Sequence, residues 1–87
     1  MNSHVEECNM LIEECQRVTT EGLTTSPSDA SFYLKQFGDT LSRISEEFQG
    51  PGSGYSAQYV EETRQALENA NQAIRDYDSS IAHFFQD

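Results

Sequence analysis

Residues 60 to 84, VEETRQALENANQAIRDYDSSIAHF, decide the fold of this chain. Apolar or small side chains recur there in alternating steps of three and four, and neither glycine nor proline interrupts them. This sustained spacing is typical of a helix that packs against other helices. We therefore predict one helix from about Tyr55 to about Phe85, with polar side chains facing water on the other side. The apolar stripe comprises Val60, Thr63, Leu67, Ala70, Ile74, Tyr77, Ile81 and Phe84.

A second stripe of the same kind lies upstream. Ser26, Pro27 and Asp29 form a favourable helix start, because serine caps helices, proline suits the first turn and an acid favours the same end. The segment 50–54 holds three glycines and one proline, which end a helix and favour a tight connection between antiparallel neighbours. These features predict an all-α fold with an antiparallel helical hairpin over residues 26–87. The predicted hairpin seam comprises Ala30, Leu34, Phe37, Leu41, Ile44, Ala66, Ala70 and Ala73.

Residues 1–25 form an N-terminal helical segment with its own stripe. Val5, Cys8, Ile12 and Cys15 keep heptad steps, but this register differs by one residue from that of the next helix. The chain therefore either kinks near residues 24–27 or breaks into a separate helix, and we favour a break. Along a helix the two cysteines are about 10 Å apart, too far for a disulfide. We expect two small buried side chains, with an inter-chain bridge as the alternative.

The composition excludes several classes of partner. Fifteen acidic residues against five basic ones give a net charge of −10, so no strongly basic face is available for a nucleic acid. The longest apolar run has only three residues, which argues against membrane insertion. A chain of 87 residues buries a modest core, and this favours help from a protein partner.

No catalytic or cofactor-binding pattern is evident. Ser53 lies between two glycines, but a nucleophile elbow follows a strand, and here a helix precedes the turn. The turn glycines lack the spacing and the lysine of a phosphate loop. No glutamate stands three residues before His4 or His83, as a di-metal helical bundle would require. We expect a protein that is not an enzyme and has no metal or cofactor.

The residues around the predicted turn carry a family resemblance. Ile44-Ser45-Glu46-Glu47-Phe48-Gln49-Gly50, followed by a Gly/Ser-rich turn and a long helix, resembles the WXG proteins of type VII secretion. Those proteins are small, acidic helical hairpins, usually dimeric, with Trp-x-Gly at the turn. Phe48-Gln49-Gly50 is similar to an aromatic variant of that motif. The predicted turn motif comprises Phe48, Gly50, Gly52 and Gly54.

Two departures refine this resemblance. The chain has no Trp, and the family's secretion signal, a Tyr followed after three residues by an acid, is missing. The pattern is more similar to the WXG-like accessory proteins encoded beside LXG toxins. Such a protein binds the helical N-terminal region of the toxin and helps to present it to the secretion machinery. The resemblance therefore implies a helical protein partner, a location in the bacterial cytoplasm before export, and secretion in complex with the toxin.

Other assemblies stay open at this point. A self-associating WXG-type protein would form a homodimer, and a generic coiled-coil regulator would bind some other helix. Each of these fits a four-helix bundle or a coiled coil, because the last helix carries more large apolar side chains than residues 30–48 can cover. The predicted partner interface comprises Val60, Leu67, Ile74, Tyr77, Ile81, Phe84 and Phe85.

Overall fold

Three α-helices make up the structure, a computed structural model that describes residues 2–22, 26–49 and 54–85. They are α1 (Ser3–Gly22), α2 (Pro27–Phe48) and α3 (Ala57–Phe84). The three helices pack side by side in an elongated bundle of 49 × 18 × 17 Å. Helix α1 packs against both others, and most extensively against α3.

Side chains cap the start of each helix. Asn2 Oδ1 accepts a hydrogen bond from the backbone N–H of Val5 at 3.2 Å. Ser26 Oγ accepts one from Asp29 N at 3.3 Å, and Ser56 Oγ accepts one from Tyr59 N at 3.1 Å. Each cap satisfies an N–H group that has no partner within its helix. The predicted start of α2 is confirmed, with Pro27 in the first turn.

Contacts between the helices fix their directions. The hydroxyl of Tyr77, late in α3, donates a hydrogen bond to the backbone carbonyl of Ala30, early in α2. These two helices are therefore antiparallel. Asn2 Nδ2, just before α1, donates to Thr63 Oγ1 of the first part of α3 at 2.9 Å, so α1 and α3 are parallel. The bundle therefore runs up, down and up, with α1 lying along the α2–α3 hairpin.

The core is a narrow column shared by all three helices. In α2 and α3 it repeats every seven residues, as the heptad stripes predict. In α1, part of the buried stripe is shifted by one residue from the predicted stripe. Leu11 and Val18 are buried, whereas the predicted Val5 and Ile12 are only partly buried. The buried apolar side chains are Cys8, Leu11, Cys15, Val18, Ala30, Phe37, Ile44, Ala66, Ala70, Tyr77 and Ile81.

The all-α hairpin and the separate N-terminal helix are confirmed. Helix α1 ends at Gly22, α2 begins at Pro27, and the two pack against each other as separate helices. Most of the predicted turn, residues 50–53, lies outside the described residues. Gly54 follows it with φ of 58°, a left-handed conformation that glycine adopts without strain. None of the described helices is long and apolar enough to cross a membrane.

Candidate partner-binding face

One side of the α2–α3 hairpin carries a groove that no residue of α1 lines, although Phe48 at its turn end also contacts His4 of α1. Six apolar side chains lie there, three from each helix at seven-residue spacing, and all six are partly exposed. A seven-residue spacing keeps side chains on one side of a helix over two turns. We call this surface the outer face. Its apolar residues are Leu34, Leu41 and Phe48 of α2 and Val60, Leu67 and Ile74 of α3.

The two rows of the outer face lie side by side. Leu41 and Leu67 line the same groove between α2 and α3. Because the helices are antiparallel, moving seven residues in opposite directions places Leu34 level with Ile74, and Phe48 level with Val60. The outer face is therefore a continuous apolar strip about two heptads long, or roughly 20 Å at 1.5 Å per residue.

The groove at the centre of this strip has a volume of about 480 Å³. Leu41, Phe48 and Leu67 supply its apolar walls, and polar side chains border it. No residue of α1 lines it. An apolar groove between helices with polar edges is the kind of surface that accepts the apolar side of another helix.

The residues of α2 that border the outer face have small, uncharged side chains. Gly38 and Ser45 stand one helical turn after Leu34 and Leu41, and Ser31 continues the row seven residues earlier. A Cβ atom added to Gly38 would meet no other atom within 4 Å. This glycine, whose interior helical position costs about 1 kcal/mol relative to alanine, is therefore not required by packing within the chain.

The border on α3 is charged. Arg64 and Glu68 line the groove together with the uncharged Asn71. Arg75 and Asp78 continue the same side of the helix. Among the described residues, ion pairs form only at Arg17 and Arg43. Arg17 pairs with Glu14 and Glu21, and Arg43 pairs with Glu7 and Glu47. The two arginines beside the outer face thus form no ion pair within the described chain. The four charges of this border sum to zero in a chain whose net charge is −10.

The opposite side of α3 receives α1. Ala66 lines a groove with Val5 and Asn9 of α1, and Ala73 lines another with Cys15 and Thr19. Ala66 and Ala73 were predicted to face α2 in the hairpin seam, but the structure places them beside α1. Small side chains allow a close approach of two helices, and here they mark the α1–α3 seam. The other seam residues, Ala30, Leu34, Phe37, Leu41, Ile44 and Ala70, contribute to the core or pack against it.

Two residues of the predicted partner interface are buried instead. Tyr77 is 1% exposed, its ring packs edge-on against Phe37 at 5.4 Å, and its hydroxyl donates to the carbonyl of Ala30 at 3.2 Å. Ile81 is 8% exposed. Both therefore stabilise this chain and are not available to a partner. Phe84 is 52% exposed, and Phe85 is partly buried against the core.

A cluster of aromatic rings at one end of the bundle was not predicted. The ring of His4 lies 5.9 to 6.0 Å from the rings of Phe48, Tyr55 and Tyr59, edge-on to each. His4 Nε2 is 3.2 Å from the Tyr55 hydroxyl, whereas Nδ1 is buried without a hydrogen-bond partner in the described structure. The seven-residue spacing of His4, Leu11 and Val18 was the sequence signal for this burial. The cluster ties the start of α1 to the turn end of the hairpin, and Phe48 joins it to the outer face.

The two cysteines are free thiols in the core, as expected. Burial raises the pKa of Cys8, and the charge of Glu7 raises it further. Burial, together with Glu14, raises the pKa of Cys15 to about 11. Both side chains therefore stay protonated at neutral pH, the form that neither attacks electrophiles nor binds metals well. The described residues contain no group of three or more His, Cys, Asp or Glu side chains that could hold a metal ion.

Comparison of the chain with protein-family models, with curated proteins and with solved structures gives no match.

Proposed function

We propose that this protein is a non-enzymatic helical adaptor. It binds the helical targeting region of an LXG-type toxin and helps to direct that toxin to the type VII secretion machinery. The observation that carries the proposal is the outer face, an apolar strip of α2 and α3 whose groove no residue of α1 lines. The resemblance of residues 44–50 to the WXG turn supports the same assignment and supplies the class of partner.

The physical basis is the incomplete burial of large aliphatic side chains. Leu41, Leu67 and Ile74 lie at the centre of the hairpin, yet each is only partly buried. Removing apolar surface from water stabilises a complex by about 25 cal/mol per Å². An amphipathic helix seated on the outer face would bury these side chains and complete a four-helix arrangement.

The location follows from this role. The adaptor meets the toxin in the bacterial cytoplasm before export and leaves the cell in complex with it.

Co-purification tests the proposal. The protein would be co-expressed with the N-terminal helical region of an LXG-type toxin from the same genome, and the product analysed by size-exclusion chromatography with light scattering. We expect a stoichiometric complex. If wild-type protein forms no complex with the toxin region, the proposed function is wrong. A stable homodimer that the toxin region does not displace would favour a self-associating WXG-type protein.

Variants of the outer face make this test specific. Leu67→Asp and Ile74→Asp each place a charge in the strip and should abolish the complex, because the charge would be buried without a partner. Both residues are partly exposed, so circular dichroism should still show a helical protein. Gln65→Asp adds the same charge to an exposed position of α3 beside the α1 groove and serves as the control. Equal binding by Ile74→Asp and Gln65→Asp would place the partner elsewhere.

A further inference from the structure

Helix α1 does not line the groove of the outer face, but it contacts one of the groove's walls. Phe48 lines the groove together with Leu41 and Leu67. The ring of Phe48 also lies 5.9 Å from the ring of His4, edge-on to it. Phe48 is therefore a residue at which the start of α1 and the groove meet.

The ring of Phe48 belongs to a stack of three. It lies nearly parallel to the ring of Tyr55 at 5.5 Å, and the ring of Tyr55 lies nearly parallel to that of Tyr59 at 4.3 Å. His4 stands edge-on to all three rings at 5.9 to 6.0 Å. Aromatic rings prefer stacked and edge-on arrangements of this kind, and each such pair contributes beyond the area that it buries. The single ring of His4 thus contacts the whole stack.

His4 is itself held in place. Only 8% of this residue is exposed, and its Nε2 lies 3.2 Å from the Tyr55 hydroxyl. Two residues earlier, Asn2 Nδ2 donates to Oγ1 of the fully buried Thr63 at 2.9 Å. These contacts fix the first turn of α1 against α3. A ring that is fixed in this way restricts the rotamers open to the rings that it touches.

We propose that His4 is a positioning residue of the outer face. It does not line the groove, and it acts by holding Phe48 in the rotamer that forms the groove's wall at the turn end of the hairpin. A partner helix then meets a wall that is already ordered, which lowers the free-energy cost of binding. The consequence for binding rests on the proposed function, whereas the effect on Phe48 belongs to the isolated chain.

The rotamer of Phe48 tests the inference in the isolated protein. In NMR, the three-bond couplings of Cγ to the backbone nitrogen and to the carbonyl carbon report which χ1 rotamers an aromatic side chain populates. We expect one rotamer in the wild-type protein. His4→Leu fills the position with an apolar side chain that has no ring, and it should leave Phe48 exchanging between rotamers. His4→Phe keeps a ring at this position and should restore the single rotamer.

Val18→Ala is the control for a general loosening of α1. Val18 is 3% exposed and lies two heptads after His4, near the other end of the same helix. Its truncation should lower the melting temperature and leave Phe48 in one rotamer. If Phe48 keeps one rotamer in His4→Leu, or if Val18→Ala releases it equally, His4 does not position Phe48 and the inference is overturned.

The affinity for the toxin region measures the consequence for binding. We expect His4→Leu to weaken the complex about two- to tenfold, the usual effect of having to order one side chain on binding. Val18→Ala and His4→Phe should bind like the wild-type protein, measured well below the melting temperature of each variant. Unchanged affinity of His4→Leu, with Phe48 released, would overturn the positioning role. If the wild-type protein does not bind the toxin region, the proposed function is wrong, and the rotamer of Phe48 still decides whether His4 acts on the groove.

Discussion

The two sides of α3 have the same heptad spacing, but one is covered by another helix and the other is not. On the side facing α1, Ala66 and Ala73 are small, and a helix covers them. On the outer face, Leu67 and Ile74 are large, and no element of the described chain covers them completely. Small side chains therefore mark the seam at which α1 lies beside α3. The large side chains remain where a second molecule can reach them.

The largest expected effect on stability comes from truncating Ile44 of α2, which we compare with Leu41 of the same helix. Ile44 is 0% exposed in the core, whereas Leu41 belongs to the outer face and is partly exposed. Ile44→Ala should lower the free energy of unfolding by about 3 to 4 kcal/mol, as expected for a fully buried aliphatic residue. Leu41→Ala should cost about half as much or less, since part of its side chain already contacts water. Urea denaturation followed by circular dichroism measures both. Equal losses would mean that the outer face is as well buried as the core.

The second effect is a loss of folding stability at high pH, and it arises where α1 packs beside α3. Cys15 of α1 is 1% exposed where α1 packs beside α3, and its pKa is raised to about 11 from the ordinary 9.0. The folded state therefore holds this proton more tightly than the unfolded state. The corresponding stability is present below pH 9 and is lost as the pH rises from 9 to 11. The loss should be of the order of 2 kcal/mol, at 1.36 kcal/mol for each unit of pKa.

Urea denaturation at pH 8, 9 and 10, under reducing conditions, measures the part of this loss that occurs below pH 10. Cys15→Ala is the control, because it removes the thiol and should show a smaller decrease in stability with pH. The same pH dependence in both proteins would show that Cys15 is not held protonated by the packing of α1.

The third effect isolates one hydrogen bond in the core, between α3 and α2. Tyr77→Phe removes the hydroxyl that donates to Ala30 O and keeps the ring against Phe37. We expect a loss of about 1 kcal/mol, the usual net value of such a bond. Tyr33→Phe is the matched control, because the Tyr33 hydroxyl has no hydrogen-bond partner in the described part of the chain, and it should be neutral. If thermal denaturation shows no difference between the two variants, the Tyr77 hydroxyl does not stabilise the fold.

The helices themselves could be predicted from the sequence. The start of α2 followed from the order of Ser26, Pro27 and Asp29, and the long uninterrupted stripe predicted α3. The break before α2 followed from a one-residue disagreement between two registers. Each of these features is local, because capping and helical periodicity depend on residues within a few turns.

The assignment of individual residues to a surface could not be predicted as well. A stripe with a period of 3.5 contains two rows, and the sequence of α3 does not say which row points to the centre. Thr63, Ala70 and Tyr77 form the buried row, and Val60 and Leu67 belong to the exposed one. The position of α1 decides between them, and that position depends on contacts such as Asn2 with Thr63, more than sixty residues apart. Tyr77 was therefore predicted on the wrong surface.

The smallest effect tests the uncovered side directly. Gly38→Ala should raise the free energy of unfolding by about 0.5 to 1 kcal/mol, because alanine favours helix and the added Cβ meets no atom within 4 Å. Ser45→Ala, one heptad later on the same border, changes helix propensity less and should give a smaller gain. Thermal denaturation by circular dichroism measures both. A gain at Gly38 means that the glycine is retained against the stability of the isolated chain, as expected if a helix of another protein approaches there. A loss would show that the chain itself packs closely at Gly38, and the outer face would then be occupied from within.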